Sequence, residues 1–290
     1  MRPIILTFAL LIFIIHSQAQ GFKLEIFGGL VNYQGDLQPR IFTLQLAKPV
    51  YGGFLKYEVN GHIAARAGIS LGSLYADDKY NKADLQKRNL NFRSKLTEAQ
   101  LGVEYYILDI HNFRITPYLF AGIALFKYEP YTFDQSNVKT FLQPLSTEGQ
   151  AISQTGVKEY KLQQMSIPFG GGLNFALSCN VNIAIELLQH KLSTDYLDDI
   201  SRNYIDQNVL LAARGAKSVA LAYRADELPG GTSYPNGGSQ RGNPKENDWY
   251  YMATLKICLN LTDCSTGKFI LGGSGNKGNN SKTGCPVNVY

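Results

Sequence analysis

A chain of 290 residues with a formal net charge of +5 and no basic cluster carries no mark of nucleic-acid binding. Charged residues make up 18 % and aromatics 12 %, with tyrosine the commonest aromatic. That balance suits a membrane barrel rimmed with aromatic girdles, and a soluble β-sandwich nearly as well.

Residues 1–19 read as a secretory signal: Arg2, an apolar run through Ile15, then Ser17-Gln18-Ala19 with small residues where a signal peptidase reads. The run is too short to cross a bilayer as a helix, and no later segment is long enough. The mature chain is expected to start at Gln20 and to be exported in a Gram-negative cell.

Phe22 to Gly29 alternates, with Phe22, Leu24 and Ile26 opposing Lys23, Glu25 and Phe27. A polar, turn-rich stretch follows from Val31 to Lys48. Tyr51 to Val59 alternates again, and Asn60-Gly61 predicts a two-residue hairpin. His62 to Tyr106 holds the clearest pair of strands, joined by a long loop around Tyr75 to Ser94. Ile63, Ala65, Ala67, Ile69 and Leu71 share one face of the first; Ala99, Leu101, Val103 and Tyr105 share one face of the second. A short turn, Asp109 to Phe113, leads to a strand at Ile115 to Phe126, and residues 128–159 form another long loop. Leu162 to Leu177 is a strand in which Pro168 predicts a bulge or kink, while Gly170-Gly171-Gly172 makes room inside. Ser178 to Asn180 turns into Val181 to Leu187. The longest loop, Ser193 to Asn247, ends in a Gly/Pro/Asn-rich piece, Pro229 to Asn247, expected to be disordered. Trp249 to Leu261 is the most regular strand.

The connections alternate long and short through an even set of strands. This predicts an all-β fold over residues 20–261: an eight-stranded antiparallel transmembrane β-barrel with long extracellular loops and short periplasmic turns. Residues 262–290 form a Gly/Asn-rich periplasmic tail. A soluble barrel of lipocalin type shares the period with opposite polarity, so the polar faces must decide. They collect Lys23, Glu25, Lys56, Glu58, Arg66, Glu98, Glu104, Glu186 and Lys256, a nearly balanced set suited to ion pairs filling a narrow lumen. No open pore is expected.

Three motifs carry a resemblance: Asn32-Tyr33-Gln34-Gly35-Asp36-Leu37, Thr194-Asp195-Tyr196-Leu197-Asp198-Asp199, and Gly284-Cys285-Pro286 near the end. Together they resemble the DUF6089-like outer-membrane barrel family that contains PorG of the type IX secretion system. The resemblance implies a barrel associated with the periplasmic ring of that machine, with outer-membrane lipid and ring proteins as partners. Many relatives have no tie to secretion, which leaves a stand-alone barrel with ligand-binding or adhesive loops as the alternative.

Asp195, Asp198 and Asp199 would either hold calcium or a partner's cation, or cap loop backbone; capping is favoured, because calcium needs more oxygens. No cofactor or metal is expected, and no enzymatic activity. The one catalytic candidate is a rim-sited lipid hydrolase with Ser193 as nucleophile and His190 as base near Asp195. Cys179, Cys258, Cys264 and Cys285 fall on the periplasmic side, and their pairing is open.

Overall fold

The computed structural model describes residues 21–41, 43–178 and 180–261. The signal segment, the tail with Gly284, Cys285 and Pro286, and the cysteines Cys179 and Cys264 lie outside the described residues.

The described residues form ten strands: β1 (Phe22–Gln34), β2 (Lys48–Glu58), β3 (Ile63–Asp77), β4 (Asn91–Tyr106), β5 (Ile115–Tyr128), β6 (Tyr131–Phe133), β7 (Lys139–Phe141), β8 (Gln163–Ala176), β9 (Val181–Leu192) and β10 (Trp249–Asn260). Around the sheet they run β3-β2-β1-β10-β9-β8-β5-β4, and the β3–β4 pairing closes the ring. The β6–β7 hairpin extends from the loop end of β4. The fold is a closed eight-stranded antiparallel barrel of the transmembrane, outer-membrane type.

Its polarity follows from the alternating sequence. Leu55, Ile69, Leu101, Leu119, Ile123, Leu187 and Leu255 stand on the outer wall, Leu187 as much as 64 % exposed. Arg66, Glu98, Glu104 and Lys256 point inward, each no more than 1 % exposed. Such an apolar belt over a charged interior is stable only where lipid solvates the outside, and closure leaves no edge unpaired there. No described helix is long and apolar enough to cross a membrane.

Four expectations need correction. First, the strands run further toward the long loops: β1 continues through Asn32, Tyr33 and Gln34, which the alternation had assigned to a turn-rich loop. Val31, Asn32 and Tyr33 are all fully buried, because the loops pack over both faces of that end and erase the period. Second, the β2–β3 turn spans Val59 to His62, not two residues; Asn60 Oδ1 accepts from His62 N (2.8 Å) and Ile63 N (2.9 Å) in an Asx turn. Third, Pro168 makes no bulge. The β8–β9 register runs unbroken through Pro168↔His190, and only the ladder toward β5 is interrupted, where proline has no N–H to give. Fourth, the stretch 229–247 is folded. Gly238 N donates to Tyr204 O (2.8 Å) and Arg241 N to Arg202 O (2.8 Å). These bonds tie the stretch to the loop's first part, which carries helices at Gln207–Arg214 and Ala216–Ala222.

Candidate functional site

The lumen is filled in layers. Lys23 pairs with Glu58 (2.6 Å); Lys56 bridges Glu25 (2.5 Å) and Glu104 (3.0 Å). Arg66 Nη1 donates to Glu104 (2.8 Å) and Glu186 (2.7 Å), and Lys256 reaches Glu186 at 2.7 Å. Since β3 and β9 face each other across the ring, the Arg66–Glu186 pair spans the lumen. The Arg66 guanidinium lies between the rings of Phe120 (3.8 Å) and Phe54 (4.6 Å), so its faces are covered as well as its edges. Gly172 is needed here: a Cβ would fall 2.7 Å from the Tyr118 ring, whose hydroxyl donates to Glu186 (2.9 Å). Glu98 stands apart from this network, accepting from Tyr250 and lying 3.1 Å from His190 Nδ1. Cys258 is a buried free thiol beside Glu25, in the lumen rather than in a disulfide. Toward the loops the interior turns apolar, with Phe27, Val31, Val50, Leu96, Phe126 and Met252 in one cluster.

Above that cluster the long loops fold into a cap, and the first two motifs form its centre. Tyr33 Oη lies 2.6 Å from Asp198 Oδ2 and 2.9 Å from Asp248 Oδ1. Burial, then the neighbouring Asp36, raises Asp198 well above the ordinary carboxylate range; burial and Asp198 do the same to Asp248. Gly35 follows from this geometry, because a Cβ would fall 1.9 Å from Asp248 Oδ1 and 2.1 Å from Tyr33 Oη. Asp36 accepts from Asn243 N with both oxygens (3.1 Å each), and Asn32 Nδ2 donates to Thr43 O (2.6 Å). Leu37 and Leu197 sit in the apolar cluster.

The second motif is mostly a capping device. Asp198 Oδ1 accepts from Ile200 N (2.9 Å), Asp248 Oδ2 from Leu197 N (2.9 Å), and Thr194 O from Asp248 N (3.2 Å). Asp199 accepts from Thr147 (2.6 Å) and Tyr160 (2.7 Å); burial pushes it up to about 6, although Arg241 nearby opposes the rise. Tyr196 stacks on Tyr160, centroids 4.8 Å apart. Asp195 differs: its Oδ2 is buried with no hydrogen-bond partner, and burial pushes the carboxyl up to about 8. Among the described residues, no group of three or more His, Cys, Asp and Glu is arranged to hold a metal ion.

Two buried arginines that sequence reading passed over lock the loops together. Arg88 forks onto Asp78 (Nε–Oδ2 3.1 Å, Nη2–Oδ1 2.8 Å) and also reaches the Asp36 carbonyl (3.1 Å). Arg241 donates to Glu148 (2.9 Å) and to the Asp199 carbonyl (2.7 Å). Glu148 accepts in turn from the backbone of Ser201 and Arg202 (3.0 Å each). Nothing in the local pattern marks Arg88, Glu148 or Arg241. Asp248 had one signal, its place immediately before the last strand.

The hydrolase trio is not assembled. His190 is fully buried inside the barrel, stacked on Tyr250 at 4.3 Å. Ser193 has the opposite parity and is exposed, its Oγ donating to Met165 O (2.8 Å) on β8. An odd separation along an extended chain sends two side chains to opposite faces, which is why proximity in sequence misled.

Residues 2–184 match the family described as Domain of unknown function (DUF6089). The chain belongs to this family. Within the DUF6089 barrel the match covers the Asn32–Leu37 motif and ends before Glu186 and the Thr194–Asp199 run. No curated protein matches the sequence. Among solved structures the chain is similar to Neisserial surface protein A (NspA), at 10 % identity and a TM-score of 0.41, over 82 % of this chain and 96 % of that one. It is similar to Ail, the attachment invasion locus protein of Yersinia pestis, at 10 % identity and 0.40, over 83 % and 98 %. Outer membrane protease OmpT from Escherichia coli follows at 8 % identity and 0.37, over 85 % and 99 %. Likenesses this distant carry no functional argument.

Proposed function

We propose that this DUF6089 barrel resides in the outer membrane as a non-enzymatic anchor or docking component of a protein-secretion assembly of the type IX kind. The observation that carries the reading is the blocked lumen, with ion pairs across its middle and a hydrogen-bonded cap over its loop end. A barrel filled in this way is a rigid fixture, so its work falls to its surfaces and its periplasmic side. The secretion role itself rests on the motif resemblance, and periplasmic ring proteins are the partners it names. Affinity purification from gently solubilised outer membranes tests it: ring proteins in the eluate support the docking role, and their absence refutes it. Deleting residues 266–290 in the same experiment asks whether docking runs through the tail. Normal ring-protein recovery from the truncated, correctly inserted chain would remove the tail from the mechanism. The second reading, a stand-alone barrel with ligand-binding loops, is favoured by a groove at the loop end.

A further inference from the structure

A groove of about 900 Å³ opens at the loop end of the barrel, within the size range of small-molecule sites. Its floor is not loop but barrel wall. Gln34, Trp249 and Lys191 are register partners across β1, β10 and β9, and their positions point outward, in line with the lipid-facing belt below. Its walls come from the loop after β1, the loop after β3 (with Lys82) and the stretch 240–247 (with Lys245). The groove therefore lies outside the barrel, at the height where an outer leaflet presents its headgroups.

The charges lining it are unlike those inside. Every lumen lysine is paired with a carboxylate, whereas Lys82, Lys191 and Lys245 are exposed and enter no ion pair among the described residues. Of the carboxylates on the lining, Asp36 accepts from Asn243 N with both oxygens, and burial raises Asp195 to about 8. Only Glu246 remains as an exposed acid on the lining. Arg88 and Arg241 also reach the lining, but each is neutralised by its own acid, Asp78 and Glu148. Trp249 offers an indole, with Lys191 Nζ 5.9 Å from its centroid, and Gln34 and Asn247 offer amides. Free ammonium groups, an aromatic face and side-chain amides form the donor set that a phosphorylated sugar requires.

We propose that this rim groove binds the phosphorylated sugar headgroup of an outer-leaflet glycolipid, held by Lys82, Lys191 and Lys245 over Trp249. The groove's continuity with the lipid-facing wall selects a membrane-borne ligand over a free sugar phosphate. This inference rests on the expected extracellular position of the long loops but not on the secretion role.

The test uses the full chain in phosphatidylcholine nanodiscs, with Trp249, the single tryptophan, as reporter. Added diphosphoryl lipid A should shift its emission saturably. Each lysine near such a surface contributes about fivefold, so Lys191→Ala with Lys245→Ala should weaken binding about 25-fold. Lys127→Ala, which alters an exposed lysine paired with Glu129 away from the groove, should leave it unchanged. Three results overturn the proposal: undiminished binding by the double variant, equal affinity for dephosphorylated lipid A or phosphatidylglycerol, or binding of glucosamine 1-phosphate without binding of lipid A. Gel mobility without heating separates failed insertion from failed binding.

Discussion

Arg66→Leu is the perturbation that probes the interior most sharply. In the native lumen the central set is balanced, with Lys23, Lys56, Arg66 and Lys256 against Glu25, Glu58, Glu104 and Glu186. Removing Arg66 leaves one carboxylate in excess within a narrow interior. Stranding a buried charge costs about 3–5 kcal/mol. Here Glu104 keeps Lys56 at 3.0 Å and Glu186 keeps Lys256 at 2.7 Å, which argues for the lower end. Leucine still fills the space between Phe54 and Phe120, so the lost cation–π contact adds only about 0.5–1 kcal/mol beyond the charge effect. The expected cost is about 3.5–4 kcal/mol. Restoring neutrality with Glu186→Gln in the same chain should recover most of it, although each change alone destabilises. The assay is urea unfolding in lipid vesicles followed by Trp249 fluorescence, converted to free energy through the slope. An unchanged midpoint for Arg66→Leu, or a double variant as unstable as the two single costs added, would mean that Arg66 and Glu186 do not form a charge-balancing pair in the lumen.

Leu101→Arg places a charge on the lipid face and should cost about 2–4 kcal/mol, read in the same titration. Gly35→Ala forces a methyl group against Tyr33 and Asp248 and should cost about 1–3 kcal/mol of cap stability. The barrel should still insert, but residues 200–247 should be cut sooner by protease added to intact cells, and an unchanged cutting rate counts against the packing described. Asp195 and Asp199 titrate in the folded cap at about 8 and about 6, above the ordinary value of 3.8. The folded cap therefore holds more protons than the unfolded one over that interval. Its stability is full below about pH 4 and is lost as pH rises through about 6 to about 8. Cleavage in residues 200–247, corrected for the protease's own pH profile, should accelerate across that window. A flat rate contradicts the assignment.

The barrel was legible in the sequence because lipid outside and charge inside impose a period of two on each strand's middle. Ile63 to Leu71 and Ala99 to Tyr105 could hardly be anything else. Legibility failed where tertiary contacts replace that contrast. At Val31, Asn32 and Tyr33 both faces are buried under the loops, so alternation stops while the strand does not. The stretch 229–247 looks disordered by composition, yet Arg241 anchors it through partners near positions 148 and 199, which no local window contains. The motif residues Tyr33, Gly35 and Asp198 could be picked out, but their shared partner Asp248 arrives only through the pairing of the first strand with the last, β1 with β10. The His190–Ser193 pair shows the reverse error: strand parity, already readable, separates two residues that chemistry wanted together.

The charged faces of the strands point inward and the apolar faces meet lipid. Quenching by lipids brominated along their acyl chains tests this arrangement most directly. In a Trp249→Phe background, single tryptophans would be placed outward at Leu101, Leu119 and Leu187 and inward at Phe27 and Phe126. Strong quenching is expected at the three outward positions and little at the two inward ones. Quenching at Phe27 and Phe126 with the outward positions silent would mean that the barrel is turned inside out relative to this description.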